Sequence, residues 1–161
     1  MAGKDLFEKR SFPVPHPEKL HFWTDIGGVC VPSEERLIVR ESFAMFFGGG
    51  KIFFVQLDGL GAHKELVMEK FYRDMETLLK PSMPSQMGLH LKDTAIDRDM
   101  VARMIGAMGA PGQHMQKVAV VGLPWRGRRL FKRLQRSADP QPRYALAFFE
   151  DYEQAKLWLV R

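Results

Sequence analysis

The sequence predicts an α/β protein built on a mixed, largely parallel sheet flanked by about four helices. From residue 43 onward, runs rich in aromatic and β-branched residues alternate with segments whose apolar residues recur at helical spacing. The run Lys117–Val121 is continuously apolar after its first residue, which is typical of a strand covered on both faces. Hydrophobic residues make up 45% of the 161-residue chain and charged residues 27%, which fits a single globular domain.

Residues 1–42 are predicted to form an N-terminal extension that packs on a domain spanning residues 43–161. Regular structure is disfavoured by three closely spaced prolines, Pro13, Pro15 and Pro17. The aromatic residues at positions 21–23 are expected to cover an apolar surface of the domain. The segment Arg36–Arg40 is predicted to form one strand near the end of the extension.

The domain is predicted to begin with a β-hairpin and an amphipathic helix. Two aromatic and β-branched runs, Phe43–Phe47 and Lys51–Leu57, flank three glycines, which leave the turn type open. The glycines do not match a phosphate-binding loop, because no Lys-Ser/Thr pair and no helix follow them. The helix is predicted over Lys64–Leu79 and ends before Pro81.

The stretch Met87–Asp99 is predicted to be the centre of the fold. It contains a short strand, Leu89–Lys92, then a polar turn, and then a helix that begins with acidic residues. Asp97 or Asp99 is expected to cap that helix and to interact favourably with its positive end. A loop between a strand and a helix is where α/β proteins commonly bind other molecules. Helix capping alone would explain the acidic residues equally simply, so both interpretations stay open.

The last third of the chain is predicted to contain two more strands and two more helices. The predicted elements are strand Lys117–Val121, helix Arg126–Gln135, strand Arg143–Phe149 and helix Glu150–Val160. Residues 117–161 carry ten basic and four acidic side chains, a net charge of +6, whereas residues 1–116 sum to −1. A basic region of this kind favours an acidic partner.

Most of the excess positive charge lies on one predicted helix. Leu130, Phe131 and Leu134 are expected to pack on the sheet, which leaves the basic residues facing solvent. The candidate anion-binding residues are Arg126, Arg128, Arg129, Lys132, Arg133 and Arg136. They form either a solvated face or a binding face for anionic lipid, an acidic partner or a nucleic acid backbone.

Four strings carry a resemblance to a known family. They are Ile52–Gly59, Leu89–Ala102, the pair Val118–Val121 with Arg129–Leu134, and Ala147–Leu159 with its Phe-Glu-Asp-Tyr-Glu-Gln-Ala-Lys-Leu-Trp-Leu sequence. In this order they resemble the STAS domain, particularly the SpoIIAA-like group of bacterial anti-sigma factor antagonists, over about three quarters of the chain. The resemblance implies a mixed, largely parallel STAS fold without catalytic machinery.

The resemblance also implies that a protein partner docks on the loop and helix after the central strand. The docking residues implied here are Thr94, Asp97, Arg98 and Asp99. In phosphorylatable family members a serine follows the loop aspartate and is modified by a partner kinase. In this sequence Arg98 follows the matching Asp97, and the nearest hydroxyl belongs to Thr94. We therefore expect that the usual phosphoserine switch is not used.

The sequence contains no recognisable catalytic motif, and we expect neither a cofactor nor a metal. Cys30 is the single cysteine, which excludes an internal disulfide and favours a reducing cytoplasmic location. No apolar run approaches the length of a membrane span. His90 in the central strand is expected to be a hydrogen-bonded core or edge residue rather than a ligand.

The expected partner is an anti-sigma-factor-like protein or another regulator, and recognition of a specific nucleic acid is not expected. A homodimer is left open. The alternative function is a carrier or sensor of a lipid-like or anionic small molecule, in a CRAL-TRIO-like pocket beneath the N-terminal extension. Eight clustered methionines support that alternative, namely Met68, Met75, Met83, Met87, Met100, Met104, Met108 and Met115.

Overall fold

The computed structural model describes residues 37–161 of the chain. It contains five strands and four helices. In chain order they are β1 (Phe43–Phe47), β2 (Gly50–Gln56), α1 (Lys64–Leu78), β3 (Gln86–His90), α2 (Arg98–Met108), β4 (Lys117–Val121), α3 (Trp125–Ser137), β5 (Ala145–Phe149) and α4 (Tyr152–Val160). Within the range, no helix is both long and apolar enough to cross a membrane.

The five strands form one sheet in the order β1-β2-β3-β4-β5. Strand β1 pairs antiparallel with β2, and every other neighbouring pair is parallel. The sheet is therefore mixed and mostly parallel, as predicted, and β3 is its central strand. Because β2 to β5 are parallel, the loops that follow them all lie at the same edge, which we call the carboxyl edge.

Helices cover both faces of the sheet. The larger core cluster joins one face to α1, α2 and α3, and includes Phe71, Met104 and Phe131, none of which is exposed. On the other face, Ile52 and Phe54 pack with Ala155 and Leu159 of α4. Strand β2 is consequently buried on both faces, which explains why its sequence shows no polar alternation.

A two-residue turn closes the predicted hairpin. Gly48 and Gly49 have φ angles of +54° and +82°, and Phe47 pairs with Gly50 as the last residues of the two strands. Positive φ at both turn positions matches the right-handed twist of antiparallel strands and favours glycine. The third glycine belongs to β2, which begins one residue earlier than predicted.

Several predicted boundaries change in the structure, including the starts of β5 and α4, which lie two residues later than predicted. Residues 37–40 form no strand, and Arg40 pairs with Asp58 at 3.1 Å through its side chain. The predicted strand Leu89–Lys92 was placed too late, since the ladder of β3 ends at His90 and the chain then turns into its loop. Helix α3 is longer than predicted at both ends. The other predictions for the extension concern residues 1–36, which lie outside the described range.

The central strand requires a glycine at position 88. A Cβ there would lie 2.1 Å from Cε1 of Phe54, whose ring covers the β3 backbone from the paired strand. We expect Gly88→Ala to lower the free energy of unfolding by about 1–3 kcal/mol, because a buried ring must move. Urea unfolding followed by circular dichroism measures this change.

Gly106→Ala provides the matched control for that measurement. Gly106 lies on an exposed position of α2, and a Cβ there would meet nothing within 4 Å. Alanine should stabilise this helix by up to about 1 kcal/mol relative to glycine. Equal effects of the two substitutions would contradict the packing argument.

Candidate docking site at the carboxyl edge

The loops after β2 and β3 are joined by main-chain hydrogen bonds that continue the parallel pairing beyond the strands. Gly59 N donates to Lys92 O at 2.8 Å, and Gly61 N donates to Asp93 O at 3.0 Å. Ala95 N in turn donates to Gly61 O at 2.8 Å. Because the bonds alternate between the two loops, neither loop can shift without breaking contacts to the other.

Thr94 holds the two loops together through its side chain. Its hydroxyl donates to Leu57 O and accepts from Leu60 N at 3.1 Å, and the residue is only 7% exposed. Both hydrogen-bonding functions of the hydroxyl are therefore used inside the protein. The predicted docking residue Thr94 thus lies in the interior, where it supports the loop.

The loop after β4 packs against the same structure. Gly122 has a φ of +76°, and a Cβ at this position would lie 2.6 Å from the Cβ of Lys92. Gly122 N donates to Phe149 O at 3.0 Å, and Leu91 N donates to Val121 O at 3.0 Å. The segments that follow β2, β3 and β4 therefore form one fixed surface, which is also bonded to the last residue of β5.

Asp97 is the capping residue of α2. Its Oδ1 accepts a hydrogen bond from Met100 N at 2.8 Å, while its Oδ2 lies 3.0 Å from Lys64 Nζ. Lys64, the first residue of α1, also reaches Asp99 Oδ2 at 3.1 Å, and Arg103 binds the same oxygen at 2.7 Å. These charges connect the beginnings of two helices across the surface.

The same contacts explain the titration of these groups. The Met100 N–H and then the Lys64 ammonium lower the pKa of Asp97. Hydrogen bonds from Lys64 and Arg103 lower the pKa of Asp99, and the two carboxylates raise the pKa of Lys64. All of these side chains are open to solvent, so the ion pairs between them contribute little to folding. Their importance lies in the fixed charges that they present.

Three of the four predicted docking residues reach the surface together. Asp97, Arg98 and Asp99 are exposed, whereas Thr94, which precedes them in the same loop, is buried. Within the described residues Arg98 makes no ion pair, unlike the two aspartates beside it. It is therefore the side chain of this group whose charge is available to another molecule.

The loop that leads to these residues lines an open groove of about 860 Å³. Its walls come from the loops after β2, β3, β4 and β5. The lining residues are Gly61, Ala62, Lys92, Asp93, Thr94, Ala95, Gly122, Leu123, Pro124, Trp125, Arg128 and Glu150. Trp125 lies at the rim of the groove and is 60% exposed. Tryptophan is one of the residue types that contribute most to binding at protein interfaces. The sequence prediction did not include Trp125, although its position before a basic helix was visible.

The six basic residues predicted to bind anions all lie on α3, and five of them are exposed. Arg128 is used inside the protein: its Nε donates to Leu123 O at 2.7 Å and its guanidinium pairs with Glu150. The other five are exposed, namely Arg126, Arg129, Lys132, Arg133 and Arg136. They line a second open groove of about 610 Å³ together with Trp125.

A buried polar cluster lies below the carboxyl edge on the α4 face. His90 Nδ1 lies 2.8 Å from the Tyr152 hydroxyl, which donates to Gln56 Oε1 at 2.7 Å. Since the hydroxyl has one hydrogen and donates it to Gln56, His90 Nδ1–H is the donor to Tyr152. Asp58 Oδ1 stands 3.3 Å from the same nitrogen. His90 is thus hydrogen-bonded in the interior, as expected, but its partners were not predicted.

Burial lowers the pKa of His90, although the Asp58 carboxylate partly opposes this shift. The unfolded chain, with a histidine pKa near about 6.5, therefore binds more protons than the folded chain as the solution becomes acidic. We expect the free energy of unfolding to decrease as pH falls below that value. His90→Asn keeps a nitrogen donor without the titration and should reduce the slope. Equal slopes for both proteins in urea unfolding at several pH values would contradict the assignment.

The bonds of Thr94 give a second test. Thr94→Val keeps the shape but leaves Leu57 O and Leu60 N without their partner, so unfolding should become easier by about 1–3 kcal/mol. Thr94→Ser keeps the hydroxyl and should lose clearly less. Thermal and urea unfolding of the two variants measures the difference. A valine variant as stable as the serine variant would show that these bonds contribute little.

The methionines that suggested an apolar ligand pocket belong to the core. Six of the eight are at most 3% exposed, and Met83 and Met115 pack against the same cluster. A pocket beneath the N-terminal extension would involve residues outside the described range, so that alternative stays a prediction. Residues 37–161 contain no group of three or more potential metal ligands that could hold an ion.

No family model matches the chain, and searches of curated proteins and of solved structures find no significant match.

Proposed function

We propose that this chain is a STAS-like, non-enzymatic regulatory module that docks a protein partner through the carboxyl edge of its sheet. The docking surface comprises the exposed residues Asp97, Arg98 and Asp99 and the neighbouring groove with Trp125 at its rim. The observation that carries the proposal is the rigid joining of the loops, which presents exposed charges on a fixed support. A surface that does not need to be ordered on binding loses less entropy when a partner docks.

The central position of β3 supports this assignment. Its loop is flanked by the loops of β2 and β4, which together offer a broader surface than an edge strand could provide. The order of strands and helices is also consistent with the α/β fold that the STAS resemblance implies. The arrangement provides charges and an aromatic anchor, the features that determine specificity and affinity at protein interfaces.

The environment of Thr94 supports a docking mechanism without the usual phosphorylation switch. Its hydroxyl is buried and makes two hydrogen bonds, so a kinase could reach it only after the loops separate. Position 98, where the resemblance places the modified serine, carries an arginine. A phosphate added at Thr94 would place nearly two negative charges in the interior and disrupt the support of the surface.

Charge reversal at Arg98 tests the docking site. We expect cross-linking affinity purification from the native cells to recover one protein in stoichiometric amount with the wild-type chain. Arg98→Glu should reduce that recovery at least about tenfold, since a like charge at an interface costs several kcal/mol. Quantitative mass spectrometry of the recovered protein provides the measurement, and circular dichroism confirms that the variant is folded.

Lys80→Glu makes the same charge change at the opposite end of the domain, next to the exposed end of α1, and should leave recovery unchanged. Equal loss with both variants, or undiminished recovery with Arg98→Glu, would overturn the docking site.

Native mass spectrometry of the purified protein addresses the carrier alternative. A stoichiometric small molecule without a protein partner would contradict the proposal.

A further inference from the structure

The exposed face of α3 carries a concentration of positive charge that the proposed docking site does not use. The helix has six basic residues and no acidic one. Of these six, Arg128 alone pairs with a carboxylate of the described residues. Five cationic side chains therefore face solvent without a neutralising partner there. Like charges so close together repel each other, which favours binding of a polyanion.

Four of these cations form a line. Arg126, Arg129, Arg133 and Arg136 follow one another at intervals of three, four and three residues. At helical geometry they lie within about 80° of the circumference and extend along about 15 Å of the axis. We call these four residues the arginine row. Its repeat of roughly one cation per helical turn requires an anion with a similar repeat.

Trp125 lies at one end of the arginine row. The guanidinium carbons of Arg126 and Arg129 are 5.6 Å and 5.4 Å from the centre of its ring. These cation–π contacts orient both guanidinium groups while leaving the ring 60% exposed. The row therefore ends in an apolar contact point, which gives the surface a direction as well as a charge.

We infer that the arginine row binds an acidic helical segment of a second protein. A helix with carboxylates at intervals of three and four residues repeats its charge at about 5.4 Å per turn, which matches the spacing of the row. Guanidinium groups bind carboxylates in a planar, bidentate manner, and four of the five exposed cations are arginines. An apolar residue one turn beyond the acidic row of the partner would contact Trp125.

Two other polyanions fit this face less well. A single-stranded nucleic acid needs several aromatic side chains on which bases stack, whereas Trp125 is the one large apolar side chain that α3 exposes. A membrane-bound helix inserts a continuous apolar face, but the apolar residues of α3 are directed to the core, with Phe131 completely buried. The remaining arrangement suits a linear, regularly spaced acidic protein segment.

Fluorescence anisotropy of two labelled peptides with the full-length protein tests this inference. One peptide is helical and carries glutamates along one face at intervals of three and four residues, followed by a leucine. The other has the same composition with the glutamates distributed around the helix. We expect the first to bind at least about tenfold more tightly, and raising the salt concentration should weaken it. Equal affinities would overturn the inference.

Substitutions in the row provide the second arm. Arg129→Gln combined with Arg133→Gln and Arg136→Gln should weaken the first peptide at least about tenfold. Lys80→Gln combined with Arg143→Gln and Arg161→Gln removes the same charge from other exposed positions and should change the affinity less than about threefold. Circular dichroism checks that both variants are folded. A similar loss in both variants would show attraction by net charge alone, which contradicts the inference.

The same assay distinguishes the competing ligands. Vesicles containing phosphatidylserine and a single-stranded oligouridine should bind at least about tenfold more weakly than the first peptide at the same concentration of negative charge. Tighter binding of either would overturn the assignment to a protein segment. Arg98→Glu should change peptide binding less than about threefold, as the control variant does, so that failure of the carboxyl-edge proposal and failure of this one are distinguished.

Discussion

The arrangement of the carboxyl edge depends on the buried hydroxyl of Thr94. This group bonds to the backbone on both sides of the turn after β2, at Leu57 and Leu60, although it belongs to the loop after β3. It makes the two loops one unit, and the close contact of Gly122 with Lys92 adds the loop after β4. The orientation of Asp97, Arg98 and Asp99 follows from this foundation, because α2 begins where the joined loops end.

Local sequence was sufficient to predict the architecture. Alternating strands and helices specified the α/β class, and Asp97 was recognised as a possible cap because a cap and its N–H donor are three residues apart. Burial of Thr94 could not be recognised in this way. Its partners lie 34 and 37 residues earlier, so the interaction exists only once β2 and β3 are paired. The end of β3 was misplaced for the same reason, because beyond His90 the chain is held by hydrogen bonds between loops and no longer by the strand ladder.

The position of the basic helix was predicted correctly, but the different roles of its basic residues were not. The helical spacing identified α3 as a basic helix, yet it could not separate Arg128, which serves the fold, from the five cations that face solvent. The separation depends on Glu150 and Leu123, two groups brought to Arg128 by the turn after β5 and the turn before α3. In the carboxyl-edge loop, by contrast, Lys64 and Arg103 compensate the aspartates. The two aspartates are therefore paired with neighbouring cations, whereas the five exposed cations of α3 pair with no carboxylate among the described residues.

The contact between Gly122 and Lys92 has a consequence for how the chain can diverge. An insertion in the loop after β4 would force the two backbones apart, and a deletion would remove the glycine that permits their approach. Lengths of neighbouring loops should thus change together or remain constant among descendants of this sequence. Variation would then accumulate in outward-pointing side chains such as Arg98, which could alter recognition without disturbing the scaffold.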